Sequence, residues 1–405
     1  MPNKRDLPFF IFRVALLILI AGMPWSRALT SISGALLFIS AMAEIIINKV
    51  RIPTNKYFLC LILLVLLFLL DGLRAGSLSD WFYYVNIRIP LVMLPLSILV
   101  FKPKITTEFM LQVSIIFCIT IAFATIASSI NYILNYKELN ALVLHSKPIP
   151  IIGQIHHITF SVYCAFAVIV SAFYAWFNKI KWLWVLTIIN LAGLHILTAR
   201  TGLAGFYFAC LVLGSVYIIN HKPKIRYLIL SLVTICVLPV IAFYSLGSFH
   251  NRVLNSWEDM KGIWHQKDAN YQSMGMRIEA SKTAFDLIKK YPITGVGCTN
   301  LNHAMSVQYE ENNSNLFLEN RIMPHNQFVM ETAIHGFIGL AILVLFFAFP
   351  FFDNFLRLPT LFISLWSLLF FGCMFECLFD RQHGVILVGL FWFLFYEQAT
   401  KIKSI

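Results

Sequence analysis

Residues 57–73 read YFLCLILLVLLFLLDGL, a run of apolar side chains that contains a single charged residue. Its length is close to the 20 or so residues that a helix needs to cross a bilayer. Similar runs recur along all 405 residues, of which 59% are hydrophobic and 12% charged, against about 25% charged in an ordinary soluble domain. These runs exclude a soluble enzyme, a disordered chain, a disulfide scaffold and a lipid-anchored domain. We predict an all-α integral membrane protein.

The apolar runs predict about twelve transmembrane helices, in three parts of the chain. Residues 1–246 would carry nine helices, residues 247–325 a long polar loop with short helices, and residues 326–405 the last three helices. We place the helices at roughly 7–25, 28–48, 57–73, 88–102, 109–134, 156–178, 182–199, 201–220, 227–246, 326–352, 359–378 and 384–399.

Basic residues fall mainly in alternate short loops. With the amino terminus in the cytoplasm, fifteen lysines and arginines lie in inner segments and seven in the short outer ones. The outer seven are Arg27, Arg74, Arg88, Lys137, Lys147, Arg200 and Arg381. This bias predicts both termini in the cytoplasm and the long loop outside. It also explains the net charge of +12 better than a nucleic-acid partner does.

The long outer loop carries the features that suggest chemistry. Residues 276–290 have apolar side chains at helical spacing, Pro292 would end that helix, and Gly295 and Gly297 predict a tight turn. No ATP is present outside the cytoplasmic membrane, so an enzyme acting there needs an activated substrate. The sequence contains no nucleotide-binding motif and no paired-carboxylate metal motif. We therefore predict neither a cofactor nor a metal ion.

Two arginines are candidate anion ligands. Arg200, in LTARTGLAG, would lie at the outer end of the seventh helix, with Thr201 and Gly202 allowing close backbone approach. It could equally be an arginine that extends to the interface. Arg277 lies near the start of the predicted loop helix, where free backbone N–H groups and a guanidinium suit a phosphate. A surface ion pair to Glu279 or Asp286 is the alternative.

The segment MPHNQFVMETAIHGFIGLA, residues 323–341, marks the point where the loop returns to the membrane. Pro324 suits the first turn of a helix. His325 would then lie at a helix amino terminus, where the dipole disfavours the imidazolium form and leaves the ring able to accept a proton. A structural histidine is the alternative. Gly336 and Gly339 predict close helix contact, and His335 is interpreted as a packing or hydrogen-bonding residue.

A last group of polar residues lies in FECLFDRQHG. Glu376 and Asp380 would be one helical turn apart at the outer end of the eleventh helix, beside Arg381. They could form a local ion pair or contact a polar substrate. His156 and His157, at the outer start of the sixth helix, are weaker candidates.

The order of these features resembles the O-antigen ligase/polymerase superfamily. The features are twelve helices, a long outer loop between the ninth and tenth, Arg200, Arg277 ahead of PITGVG (292–297), and PHNQF (324–328) followed by Gly336 and Gly339. Within the superfamily the chain looks like an O-antigen ligase of Gram-negative bacteria.

The resemblance implies a reaction and its residues. O-polysaccharide carried on undecaprenyl diphosphate would be transferred to lipid A–core oligosaccharide at the periplasmic face of the inner membrane, without metal or nucleotide and with inversion. Arg200 and Arg277 would bind the diphosphate and act in catalysis, and His325 would be the base. Arg321, Glu376 and Arg381 are further candidate substrate-binding residues. Membrane lipids would be the remaining partners.

Two alternatives remain open. An O-antigen polymerase of the same superfamily uses the same donor but extends the glycan. A multi-span lipid or solute transporter would share the layout of twelve helices, but transporters tend to bind substrate at the membrane midplane. Here the informative residues fall at the outer face.

Overall fold

The fold is entirely helical in the part of the chain that the computed structural model describes, which is residues 3–52, 54–220, 225–264 and 268–396. The first half holds α1 (Leu7–Gly22), α2 (Arg27–Asn48), α3 (Lys56–Leu70), α4 (Leu78–Arg88), α5 (Pro90–Phe101), α6 (Thr107–Leu134), α7 (Tyr136–Leu144), α8 (His157–Phe177), α9 (Leu183–Leu197) and α10 (Arg200–Asn220). The second half holds α11 (Ile225–Ser245), α12 (Gly247–Trp264), α13 (Ser273–Lys290), α14 (Leu301–Glu311), α15 (Gln327–Phe352), α16 (Thr360–Phe375) and α17 (Gln382–Ile386), whose apolar helical run continues to Tyr396.

Every predicted span overlaps a helix, and the prediction of an all-α membrane protein is confirmed. In the described ranges, seven helical segments are long and apolar enough to cross a membrane, and an eighth is reached if α11 and α12 count as one bent pair. Four further apolar helices are shorter: Leu7–Gly22, Leu183–Leu197, Thr360–Phe375 and Gln382–Tyr396. The number twelve and the three-part division of the chain stay predictions. The most enclosed spanning segment is α8, with 89% of its apolar window buried.

The predicted fourth span, 88–102, is shorter than the observed helical segment, which begins ten residues earlier. The helical segment runs over Leu78–Lys104, because Arg88 continues a helix where the sequence suggested a loop. Arg88 is 1% exposed, forms an ion pair with Asp380, and lies with its guanidinium 3.7 Å from the centre of the Phe68 ring. A carboxylate partner and an aromatic face allow an arginine to remain inside a helical bundle.

A break inside α15 connects this helix to the segment that follows α13. Gly336 has φ +65° and ψ −160°, so the helical hydrogen bonding is interrupted there. Residues 292–298, called the glycine turn below, fill the break: Val296 N–H donates to Ala333 O (3.0 Å) and Phe337 N–H to Pro292 O (2.8 Å). The tight turn predicted at Gly295 and Gly297 is confirmed, since both have positive φ.

A buried ion cluster ties the glycine turn to the end of α3. Asp71 accepts a hydrogen bond from Cys298 N–H (2.8 Å) and lies 3.2 Å from Nε2 of His335. Arg74 donates to Asp71 Oδ1 (2.8 Å) and to the carbonyl of Thr294 (2.9 Å). The hydrogen-bonding interpretation of His335 is consistent with this position. The cluster holds α13 and the first half of α15 against the membrane helices.

Candidate active site

A cavity of about 680 Å³ lies at one end of the helices, below the long loop. It brings together Arg200, Arg277 and His325, three residues that are far apart in the sequence and were predicted to share a site. Their side chains reach it from the starts of α10, α13 and α15. The remaining lining residues are Ser146, Pro148, His157, Ile158, Leu197, Thr198, Ala199, Thr201, Ala204, Arg252, Ser273, Met274, Ile278, Ser281, Lys282, Phe285, Asn326, Phe371, Met374 and Phe375.

Arg200 is positioned by the short joint between α9 and α10. Thr198 has φ +51° at this joint, an uncommon conformation for a β-branched residue. The Arg200 guanidinium donates to Asn255 Oδ1 and lies 3.3 Å from the carboxylate of Asp259, both on α12. The close approach predicted at Gly202 occurs against α8, because a Cβ there would lie 2.2 Å from Ser161 Oγ.

Arg277 lies near the amino-terminal end of α13, as predicted, since that helix begins at Ser273. Its guanidinium donates to the carbonyl of Phe375 (3.4 Å) and lies 4.0 Å from Glu376. The predicted alternative, an ion pair to Glu279 or Asp286, is absent from the described contacts: Glu279 pairs with Lys282 and Asp286 with Lys289. Burial lowers the pKa of Arg277, while the nearby Glu376 carboxylate acts to raise it.

His325 is paired with Glu376, a contact that the sequence did not predict. Nδ1 of His325 lies 3.0 Å from Oε2 of Glu376, whose side chain is 3% exposed. Although burial acts to raise the pKa of Glu376, the hydrogen bond from His325 and the charges of Arg277 and Arg381 hold it below its ordinary value. The carboxylate fixes the ring and leaves Nε2 free of this contact.

The helix boundaries around this pair differ from the prediction. Asn326 is the N-cap of α15, accepting hydrogen bonds from Phe328 and Val329 N–H, so Pro324 and His325 precede the helix. Helix α16, which follows α15, ends at Phe375, and Glu376 after it is extended, with φ −157°. Glu376 and Asp380 are therefore not one turn apart on a helix: Glu376 faces His325, and Asp380 pairs with Arg88.

Arg252 is a cavity residue that the sequence analysis missed. It lies on α12, is 9% exposed, and donates to the carbonyl of Lys147 (2.9 Å), while its Nε is buried without a hydrogen-bond partner. Burial and the charge of Arg200 lower its pKa to about 10, so it remains a cation at neutral pH. No sequence motif marked it, and the surrounding stretch FHNRVLNSW (249–257) mixes polar and apolar residues.

Of the other candidates, only His157 lines the cavity. Arg381 lies 3.8 Å from the second carboxylate oxygen of Glu376, so it acts on the cavity through that residue. Arg321 is not brought to the cavity: it lies 3.6 Å from Glu310 and 5.8 Å from the Tyr309 ring centre. Its Nε donates to the carbonyl of Leu316 (3.4 Å), so its described contacts lie outside the cavity. His157 lines the cavity and its neighbour His156 does not.

The lining combines basic and apolar side chains. Four basic side chains line it (Arg200, Arg252, Arg277 and Lys282), and no acidic one does. Five aromatic or aliphatic side chains near its rim are more than a third exposed: Met274, Ile278, Phe285, Met374 and Phe375. Among the described residues, no group of three or more His, Cys, Asp or Glu is placed to hold a metal ion.

A comparison with protein families identifies a related group for part of the chain. A family model described as O-antigen ligase matches residues 185–344. Residues 185–344, about two fifths of the chain, are therefore similar to O-antigen ligases. The matched segment includes Arg200, Arg277 and His325, whereas Glu376 and Arg381 follow it. No curated protein matches the chain. The apolar helices make this chain a multi-pass membrane protein.

Proposed function

We propose that the protein is an O-antigen ligase. It transfers O-polysaccharide from undecaprenyl diphosphate to lipid A–core oligosaccharide at the periplasmic face of the inner membrane. The observation that carries the proposal is the single cavity that joins three arginines to a histidine held by a buried carboxylate.

The arginines would bind the diphosphate of the donor. A guanidinium presents a planar fork of N–H donors that matches phosphate oxygens. Arg277 and Arg200 approach from different helices, and the carboxylates that pair with them, Glu376 and Asp259, lie outside the cavity lining. When the bond between the sugar and the phosphate breaks, the phosphate oxygen keeps the electron pair. The fixed cations would stabilise the charge that develops on this leaving group.

His325 would act as the general base. The acceptor hydroxyl attacks the anomeric carbon, forming the new glycosidic bond as the diphosphate leaves from the opposite side, which inverts configuration. Because Nδ1 faces Glu376 at 3.0 Å, Nε2 would take the proton from the hydroxyl. The Glu376 carboxylate would then stabilise the resulting imidazolium, and a positioned base of this kind accelerates reactions typically by ~10²–10⁴-fold.

The apolar side chains of the cavity would receive the lipid parts of the substrates. Phe375 and Met374, at the end of α16, line the cavity together with the arginines, and their side chains are 46% and 42% exposed. A polyprenyl chain needs a hydrophobic surface next to the site that holds its diphosphate. The same rim leads to the outside of the helices, where lipid A would approach.

A lipopolysaccharide gel from a deletion strain, complemented with the wild-type gene, tests the proposal. The ligase predicts that the deletion leaves lipid A–core without O-antigen while polymer accumulates on undecaprenyl diphosphate, and that complementation restores the long ladder. Core bearing a single O-unit would instead identify the polymerase, whose donor fits the same cavity. An unchanged gel and an unchanged carrier-linked pool would contradict both and favour transport.

A further inference from the structure

The helix α12 has an inverted distribution of polar and apolar residues. Its inner face is polar: Arg252 and Asp259 are 9% and 4% exposed, and Asn255 binds Arg200. Its outer face carries an apolar stripe, defined here as Val253, Trp257, Met260 and Trp264, which recur every three or four residues. The exposed fractions along the stripe are 39%, 52%, 48% and 83%. A helix on the surface of a water-soluble protein has the opposite arrangement.

The direction of α12 places this stripe at a membrane surface. The segment Leu232–Ser245 of α11 lies within the predicted ninth span, 227–246, and α12 follows it after one residue at an angle of 106°. Since spanning helices tilt by about 20° from the membrane normal on average, a helix at this angle runs nearly parallel to the membrane plane. It starts where the spanning helix ends, at the level where headgroups and acyl chains meet.

The residue types fit that level of the bilayer. Tryptophan is enriched at membrane interfaces because its ring is apolar and its N–H polar. Lys261 lies beside the stripe with its ammonium 5.6 Å from the Trp257 ring centre, where it can reach lipid phosphates. Helices with an apolar face of this kind bind in the interface with that face buried about 5–10 Å deep.

We infer that α12 is an interfacial helix whose apolar stripe is embedded in the lipid of the membrane leaflet next to the cavity. The partner of the stripe is the lipid surface itself. This contact is independent of the reaction catalysed. It has a structural consequence, because the opposite face of the same helix holds Arg200 through Asn255 and Asp259 and supplies Arg252. The lipid surface therefore determines how far Arg200 and Arg252 lie from the membrane plane.

Tryptophan fluorescence of the full-length protein in liposomes tests the inference. The emission of Trp257 and Trp264 is obtained as the difference between the wild type and the W257F/W264F double variant. We expect this difference to lie at short wavelength, to be mostly lost in liposomes of lipids brominated near the headgroup end of the acyl chains, and to resist aqueous iodide. The difference for Trp392→Phe is the control, since Trp392 is fully buried and neither quencher should reach it.

Quenching of the difference emission by iodide would overturn the inference, because the stripe would then face water. Loss of quenching by both reagents would also overturn it, because another protein surface would then cover the stripe. Met260→Trp in the double variant provides a second reporter on the same stripe. It should restore emission that brominated lipid quenches. This result would show that the difference spectrum does not come from a local effect of the phenylalanine substitutions.

Discussion

Glu376 lies behind His325 with almost no contact to solvent, and its position determines how the histidine is held. Its charge is shared among His325, Arg277 and Arg381, so one buried carboxylate orients the base and contacts an anion ligand. Because the pKa of Glu376 is lowered in the folded protein, its contribution to stability is present at neutral pH. That contribution is lost only as the pH falls below the ordinary range of a glutamate.

Removing this charge without changing the shape of the side chain tests its role. Glu376→Gln should lower the transfer rate about 10- to 100-fold, since hydrogen bonds to charged groups contribute about 1.5–3 kcal/mol. The rate of glycan transfer in membranes with matched protein amounts is the measurement. Glu319→Gln, an exposed change in the same loop, is the control. A Glu376→Gln rate equal to that of the control would contradict the orienting role.

The arginines should not tolerate lysine. Arg277→Lys and Arg252→Lys keep the charge but lose the planar fork, so we expect each to weaken donor binding and raise the apparent KM for the lipid-linked donor at least severalfold. Arg357→Lys, an exposed arginine outside the cavity lining, should leave KM unchanged. Arg252→Lys tests the residue that no motif identified; an unaltered KM there would remove Arg252 from the donor site.

Among the helices, α15 combines a membrane span with the element that supports the site. Its first half follows directly on His325, and its break accepts the glycine turn through backbone hydrogen bonds. The glycine turn in turn follows the end of α13, the helix of Arg277. The two elements that carry the base and one anion ligand are therefore fixed to each other by main-chain contacts as well as by side chains.

Gly336→Ala should disrupt this junction. A Cβ at Gly336 would lie 2.1 Å from the carbonyl oxygen of Ile293, and its φ of +65° disfavours any L side chain. Strain of this kind costs about 1–3 kcal/mol even without the clash, so the unfolding midpoint in detergent should fall clearly. Gly34→Ala is the matched control, because its Cβ would meet only Leu94 at 3.8 Å. Equal midpoints for the two variants would contradict this role of the break.

The apolar runs and turn residues predicted most of the helices, since hydrophobic length and glycine or proline positions act locally. Contacts between distant segments were not predictable in this way. The pairing of His325 with Glu376 spans 51 residues and depends on α16 ending at Phe375. Arg88 was assigned to a loop because its partner, Asp380, is almost 300 residues away in sequence. Arg252 was missed because its position depends on the bend before α12.

For the whole molecule, the distribution of basic loops predicts that the cavity opens on the periplasmic side. A phosphatase that is active only in the periplasm should be active when fused after Asn313, in the long loop, and inactive after Lys181. A fluorescent protein that folds only in the cytoplasm should give the reverse pattern. If both reporters gave the opposite pattern, the cavity would lie on the cytoplasmic side. This result would contradict the proposed donor and acceptor.

The central claim is that the protein transfers a glycan in this cavity without a metal ion, and that His325 takes the proton from the acceptor hydroxyl. The most direct test is transfer by the purified protein in liposomes that contain polyprenyl-diphosphate-linked polysaccharide and lipid A–core, with EDTA present throughout. Wild type and His303→Ala, an exposed histidine on α14, should release polyprenyl diphosphate and form long-chain product. His325→Ala should be slower by at least about 100-fold. Full activity of His325→Ala, or wild-type activity that requires an added divalent ion, would contradict the account.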